Sequence, residues 1–552
     1  MHRIAALFAI VFVAAGADPW RVTVETNGGV AGIHRRITIT SNDALTREDA
    51  DAIRNVLAAA RVTSVPPRSN CADCLTYHVE FELGSRHGSV DVDDASMTSA
   101  GVANIIDVVG RVETRLRAQT APAVVYDGAR VVLGDDRGPI ETGTFVVQDG
   151  RITAIGAKGS VTVPVGATRV DLTGKTVMPT LVNVHVHIGY ERYTSWGAEN
   201  YTPANVLDHL QREAFYGVGV TQSVGSSPTD PSIAFQRDQQ AGKFAPAARF
   251  FFMPGMAPPN GGPDAVLLKG TQALHAVYEV STADDARTAV RGMAAKGLKN
   301  VKIWVDDRRG TYPKMTPEVY NAVIAEAHSH GMKVQAHATT LPDQKAVVRA
   351  GVDVLVHTVQ NEKIDDEFIA LLKEKKPYWT TVIGLGDRTE VCDDDPFVTQ
   401  QLPGSLVAKI RATTTPRPLE PSCGPRSPNF ETREATLKYN VSQMMAAGAR
   451  LLLGTDAGIS SGYTFGSADH HEIARWVEFG VTPAQAIVAA TSRPAEYLGL
   501  TDTGTLAVGK RADFIVLDRN PLENIRNTRT IDSVYLAGAK LDREALLAKW
   551  RQ

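Results

Sequence analysis

The chain has 552 residues, 43% of them hydrophobic and 22% charged, and a formal net charge of -3. This length exceeds what one core supports and implies about two to four domains, while the composition excludes a chain that is mainly disordered. The near-balanced charge gives no electrostatic reason to expect nucleic acid or an anionic membrane surface as a partner.

The N-terminal stretch MHRIAALFAIVFVAAGADPW has a basic start at Arg3, an apolar run from Ile4 to Ala15 and small residues at Ala15 and Ala17. It reads as a signal peptide over residues 1–17, cleaved after Ala17, since the apolar run is too short for a span of roughly 20 residues. Export to a periplasmic or extracellular location is therefore expected, with no membrane span in the mature chain. An oxidising compartment favours disulfides over zinc-thiolate sites. The expected pairs are Cys71 with Cys74 and Cys392 with Cys423, and a zinc site at the CxxC of Cys71 and Cys74 is the alternative.

Residues 18–118 read as an α+β domain with the order strand, strand, helix, strand, strand, helix. RVTVET and RRITIT alternate as strands, TREDADAIRNVLAAA has helical spacing behind the N-cap Thr46, and YHVEFEL and HGSVDVDD form the second strand pair. His34, His78 and His87 lie among Arg and Glu without metal-ligand spacing and are read as surface residues. The segments VETNGGVAGIHRR and YHVEFELGSRHGSVDVDD resemble the emfourin family of inhibitors of thermolysin-like metalloproteases. That resemblance implies a protein-binding module with a metalloprotease as partner.

From Ala123 the pattern changes to short β runs, AVVYDGARVVL, GTFVVQDGRITAIG and RVDLTGKTVMP, and a matching set returns as GTLAVGKRADFIVLD and IDSVYLAGAKL. Turn pairs such as Asp149-Gly150 fit hairpins. The two sets suggest one small β-sandwich built from both flanks, residues 119–180 and 499–552.

Between the flanks, over 181–498, eight strands alternate with helices: TLVNVHVHI, GVTQSVG, RFFFMPG, NVKIWVD, KVQAHA, VDVLVHT, PYWTTVIG and RLLLGTD. The expected fold is a (β/α)8 TIM-like barrel. A doubly wound sheet is the weaker alternative, because no glycine-rich phosphate turn follows an early strand. Catalytic groups of such barrels stand at the C-terminal ends of the strands. His185 and His187, Lys302, His337, His357 and Asp456 occupy those ends. Residues two apart on a strand share a face, so both imidazoles of the first strand point into the lumen. Each residue taken alone has an ordinary reading: a hydrogen-bonded core histidine, or for Asp456 a helix cap. A buried ammonium at Lys302 is costly unless paired or chemically altered.

HVHIG, VKIW, QAHA, LVHT, LLGTDAG and the tail PAQAIVAATSRPAEYLGLTDTGTLAVGKRADFIVLDRNPLENI resemble the amidohydrolase superfamily, in the branch around imidazolonepropionase-like and prolidase-like enzymes. The resemblance runs from about Ala123 to Leu541 and implies a metal-dependent hydrolase of carbon–nitrogen bonds. By it, His185, His187 and Asp456 would bind one divalent metal, His337 and His357 a second, and Lys302 would bridge them as a carbamate. Zinc is the first choice. A metal-bridging hydroxide would attack the substrate, with Asp456 the catalytic proton acceptor. A single-metal site with unmodified Lys302 is the alternative. Pro179-Thr180 and Asn183 depart from the Pro-Gly and acidic residue that commonly precede the first histidine in the family.

Substrate choice is expected in the strand-to-helix loops. Tyr190, Tyr193 and Trp196 either wall a pocket or pack their loop. The segment from Asp387 to Asn429 is expected to lie over the mouth, with Arg388 or Arg411 as candidates to meet a substrate carboxylate. The expected substrates are small amides such as dipeptides or N-acyl amino acids. A protease-inhibiting protein with a barrel of secondary or lost activity and a cyclic-amide hydrolase are the rival readings. Oligomeric state is left open.

Overall fold

The computed structural model describes residues 19–551, apart from 29–32, 44, 62–74, 94–95, 97, 99–100, 121, 193–194, 264, 388–389, 415–422, 426–427 and 460–462. The expected signal peptide, the pairing of Cys71 with Cys74, Tyr193 and Arg388 lie outside the described residues. The chain divides into two compact units, Met1–Ala121 and Pro122–Gln552.

In the first unit Trp20–Gly28, Ile33–Thr40, Leu75–Leu83 and Arg86–Asp93 form an antiparallel sheet. Trp20–Gly28 and Leu75–Leu83 are its central pair. Leu75–Leu83 alternates buried and exposed positions, as a strand with one face on a core must. Helices Arg47–Ala59 and Ala103–Thr120 supply Ile53, Leu57, Ile105 and Val109 to the same core. Thr46 caps the first helix by accepting from the Asp49 amide. His34 and His87 are exposed and His78 is half-buried beside Asp91.

In the second unit the two flanks join in one eight-stranded sheet. Phe514–Leu517 pairs antiparallel with Thr176–Pro179, which bonds strands from the two ends of the unit to each other. On its other side Phe514–Leu517 pairs with Ile531–Leu536, and the N-terminal flank continues through Val124–Val131, Ile140–Gln148 and Arg151–Ala157. An aromatic group of Tyr126, Phe145, Phe514 and Tyr535 packs on this sheet, with Tyr126 stacked on Phe145 and Phe514 on Tyr535.

All eight expected strands between the flanks are present and parallel. Hydrogen bonding places them in two sheets rather than one continuous ladder. Leu181–Val186, Val218–Val224 and Arg249–Met253 form the first. Asn300–Trp304, Lys333–His337, Val354–Val356, Tyr378–Thr380 and Arg450–Leu451 belong to the second, which begins with Val277–Glu279 and Gly255–Ala257. The break between the sheets falls at Pro254, which has no amide hydrogen to donate to a ladder. Past Leu451 the chain still bonds to the first strand: Val184 N donates to Leu453 O, Thr455 N and Asp456 N to His185 O, and His187 N to Ala457 O. Within this last stretch Asp456 at φ 61° and Gly458 at φ 93° take left-handed backbone, which a regular strand does not. Helices separate the strands; Pro317–Ser329 is followed by Gly331, and Leu341–Ala350 ends on left-handed Gly351 at φ 93°.

Candidate metal centre and active site

The alternation of Leu181–Val186 carries His185 and, one residue beyond the strand, His187 to the same side, and both are almost fully buried. Lys302, 1% exposed, lies in the strand Asn300–Trp304, whose Trp304 stands in register with His337. His357 follows Val354–Val356, and Asp456 follows Arg450–Leu451. These six side chains, with Trp304 and Pro263, line one small cavity.

The backbone around them is specialised. His357 at φ 74° and Asp456 at φ 61° take the left-handed conformation, uncommon for residues with a Cβ and found where a site requires it. A Cβ on Gly454 would lie 2.6 Å from the Cβ of His185, and one on Gly458, itself at φ 93°, would lie 2.1 Å from the carbonyl oxygen of His187.

Asp456 Oδ1 sits 2.7 Å from His185 Nε2 and 3.1 Å from His187 Nε2, while Oδ2 is 3.9 Å from His357 Nε2. His187 Nδ1 meets Ser226 Oγ at 3.0 Å. Across the cavity His337 Nδ1 and His357 Nε2 face one another at 2.8 Å. Burial, followed by the charge of Lys302, lowers the His185 pKa to about 4; burial, followed by the charge of Arg308, lowers His337 to about 3. Burial also holds His357 well below the ordinary histidine range. For Asp456 burial opposes ionisation, but the His185, His187 and His357 contacts outweigh it and its carboxyl stays well below the usual range. Neutral imidazoles and an ionised carboxylate are the ligating forms of these groups.

The donor set fits a divalent metal. The ligand atoms of His185, His187 and Asp456 all lie within 4.8 Å of one another. The His337 and His357 nitrogens converge where a shared ion would satisfy both lone pairs, and N and O donors of this kind suit zinc.

Several residues support the ligands, and of these only Asn183 was singled out from the sequence. Asn183, which stands where an acidic residue was expected, accepts the His185 amide at 2.8 Å and donates to Asp469 at 2.9 Å and Thr455 at 3.1 Å. Asp469 and Glu213 are fully buried. Burial foremost raises both carboxyls, Asp469 to about 7. Asp306 continues the alternation of Lys302 and Trp304 and accepts at 2.9 Å from His337 Nε2. That spacing is the signal that could have found it.

The loop expectations divide. Pro263, in the segment after the third strand, lines the cavity. Tyr190 packs its loop instead: it is 1% exposed and its hydroxyl donates to Ser226 O. Trp196 is half-buried and is not among the cavity's lining residues. The segment from Asp387 to Asn429 contains its own apolar cluster of Val391, Val398, Leu402, Leu406, Val407 and Ile410 beside the Cys392–Cys423 disulfide. It is fastened to the helix Pro203–Phe215 by Arg212 donating to Gln401 O and to the C-terminal flank by Arg529 with Glu390 and Asp395. None of its described residues lines the metal cavity. Arg411 pairs with Asp394 inside the segment.

Comparison with known proteins agrees with this geometry. The amidohydrolase family model matches residues 176–541, and the emfourin model matches residues 24–106. An enamidase of Eubacterium barkeri is 24% identical over 416 residues, 73% of this chain and 88% of the enamidase. An ochratoxinase of Aspergillus niger is 24% identical over 441 residues, covering 73% of this chain and 82% of the ochratoxinase. The crystal structure of a putative prolidase from Bifidobacterium longum superposes with a TM-score of 0.58 at 25% identity, over 78% of this chain and 99% of the prolidase.

Proposed function

Because the chain belongs to the amidohydrolase family, whose model covers residues 176–541, we propose that it is an exported, metal-dependent hydrolase of small amides, of the dipeptide or N-acyl amino acid class. The observation that carries this reading is the single cavity into which His185, His187, Lys302, His337, His357 and Asp456 all project. The eight parallel strands form a (β/α)8 barrel in this reading, closed by the bonds between Val184–His187 and Leu453–Ala457. Active sites of such barrels lie where these six residues lie, at the C-terminal strand ends.

His185, His187 and Asp456 would hold one divalent metal and His337 and His357 a second, with zinc the ion of choice, and Lys302 would serve as a carbamate ligand. Carbamylation turns a buried cation into an anionic two-oxygen ligand, which removes the cost of an ammonium 1% exposed among neutral imidazoles. Metal bound there supplies Lewis-acid activation of water and of the substrate carbonyl. Asp456, held ionised, accepts the proton of the attacking water at Oδ2, the oxygen farther from the histidine pair, and delivers it to the leaving nitrogen. The buried walls around Trp304 exclude bulk water from this exchange.

The Cys392–Cys423 disulfide and the N-terminal apolar run support export. Among the described residues no helix is long and apolar enough to cross a membrane. The emfourin match supports a second role, binding of a metalloprotease by the first unit, alongside hydrolysis. The test is a panel of dipeptides, N-acyl amino acids and cyclic amides assayed with the full chain, before chelation, after it, and after reloading with zinc. Chelator-sensitive, zinc-restored hydrolysis of linear amides is expected; hydrolysis confined to cyclic amides would move the assignment to that class. Incubating the full chain with a thermolysin-like protease tests the second role.

A further inference from the structure

Asp306 lies just beyond the strand that carries Lys302 and is 6% exposed. Its Oδ2 receives His337 Nε2 at 2.9 Å, Arg308 Nη1 at 2.7 Å and Thr339 Oγ1 at 3.1 Å, and its Oδ1 receives the Arg308 amide at 2.8 Å. Arg308 Nη1 also stands 2.8 Å from His337 Nε2. Arg308 holds this position with left-handed backbone at φ 48°.

These contacts admit two placements of the single ring proton of neutral His337. With the proton on Nε2 the ring donates to Asp306, and the Nδ1 lone pair points at His357 Nε2. With the proton on Nδ1 the ring donates to His357, and Nε2 accepts from Arg308. Only the first leaves the lone pair on Nδ1, the nitrogen that faces His357, and the two are exclusive because an imidazole nitrogen cannot both carry its proton and accept one.

We propose that Asp306 is a positioning residue that holds the Nε2 proton of His337 and so aims Nδ1 into the cavity as a metal ligand, with Arg308 as the competing donor that favours the other tautomer. A carboxylate behind a ligating histidine fixes both ring orientation and tautomer, and its loss costs about 10–100-fold in metal affinity. The Arg308 amide and Thr339 hold the carboxylate in place, so that it needs no rearrangement when the ion arrives. Asparagine at 306 keeps the shape but offers an NH₂ group that can donate to Nε2, favouring the tautomer that does not ligate.

This inference rests on the reading of the cavity as a metal site. The test uses the full chain stripped with a chelator and titrated with zinc, with thermal unfolding of the metal-free protein followed in parallel. D306N, and D306S as a second variant that removes the carboxylate, are expected to lose about 10–100-fold in affinity for one zinc equivalent with little change in metal-free unfolding. R308M, which removes the competing donor, is expected to keep or raise that affinity. Wild-type protein that takes up no zinc overturns the metal reading itself. Wild-type protein that binds zinc no better than D306N and D306S overturns only the role of Asp306, as does a loss in R308M equal to that in D306N, which would mean that the ion pair matters and the tautomer does not. If neither Asp306 variant folds, nitrogen-15 NMR of the zinc-loaded wild type decides: a proton on His337 Nε2 sustains the proposal, and one on Nδ1 overturns it.

Discussion

The two units use histidine in opposite ways. In the first, His34 stands exposed beside Asn27 Oδ1 and His78 half-buried beside Asp91, each on the outer face of a strand. In the second, His185, His187, His337 and His357 are turned inward towards one another and towards one carboxylate. Burial there, not any special residue type, keeps His185 and His337 neutral and ready to ligate. A histidine becomes a metal ligand through the company its strand end keeps.

The change expected to break this contrast most completely is His185→Ala, which removes the imidazole nearest Asp456. Hydrolysis and metal uptake should fall further than the ~100-fold typical of losing an outer residue, read by turnover and by metal analysis. Gly458→Ala comes next. The added Cβ meets the His187 carbonyl oxygen at 2.1 Å, on a backbone at φ 93°, so thermal stability and metal content should fall together.

Replacing Cys392 and Cys423 together with serine tests the segment from Asp387 to Asn429. Opening a loop of 31 residues removes about 3–4 kcal/mol in the chain-entropy view, and the melting temperature should drop. A thiol titration of denatured, unreduced protein should find none at these positions.

A smaller effect is expected at His471, which shows what partners do to a buried imidazole. Burial lowers its pKa, but hydrogen bonds and charges from Asp387 and Glu390 outweigh this and raise it to about 9. A folded-state value above the unfolded one of about 6.5 means that the protonated form stabilises the fold. That stabilisation is complete below about pH 6.5 and is lost as pH rises towards 9, so wild-type melting temperature should fall across this window and His471→Gln should flatten the fall. The smallest effect is the control from the first unit: replacing His34, His78 and His87 together with alanine should leave metal content and amide hydrolysis unchanged.

Much of this was legible from residue spacing. Two-residue alternation aimed His185 and His187 at one place, the repeated strand–helix pattern located His337, His357 and Asp456 at or just past strand ends while Lys302 sits within its strand, and Thr46 and Gly351 marked helix termini where the structure has them. The residues behind the ligands were harder to see. Asn183 meets Asp469 across 286 positions and Ser226 meets His187 across 39, and no local pattern encodes such pairs. Asp306 was within reach of the same alternation, but an acidic pair at the end of a strand also reads as an ordinary loop start. The segment from Asp387 to Asn429 has the Pro and Asp content of a loose cover, and what that content did not reveal is that its apolar positions fold into a cluster beside the disulfide.

The most direct measurement is the divalent metal content of purified full-length protein, set beside its hydrolytic activity before and after chelation. One to two equivalents per chain are expected, two where Lys302 is carbamylated, with activity lost with the metal and restored with zinc, and neither in His185→Ala. Full activity in metal-free protein would contradict this expectation.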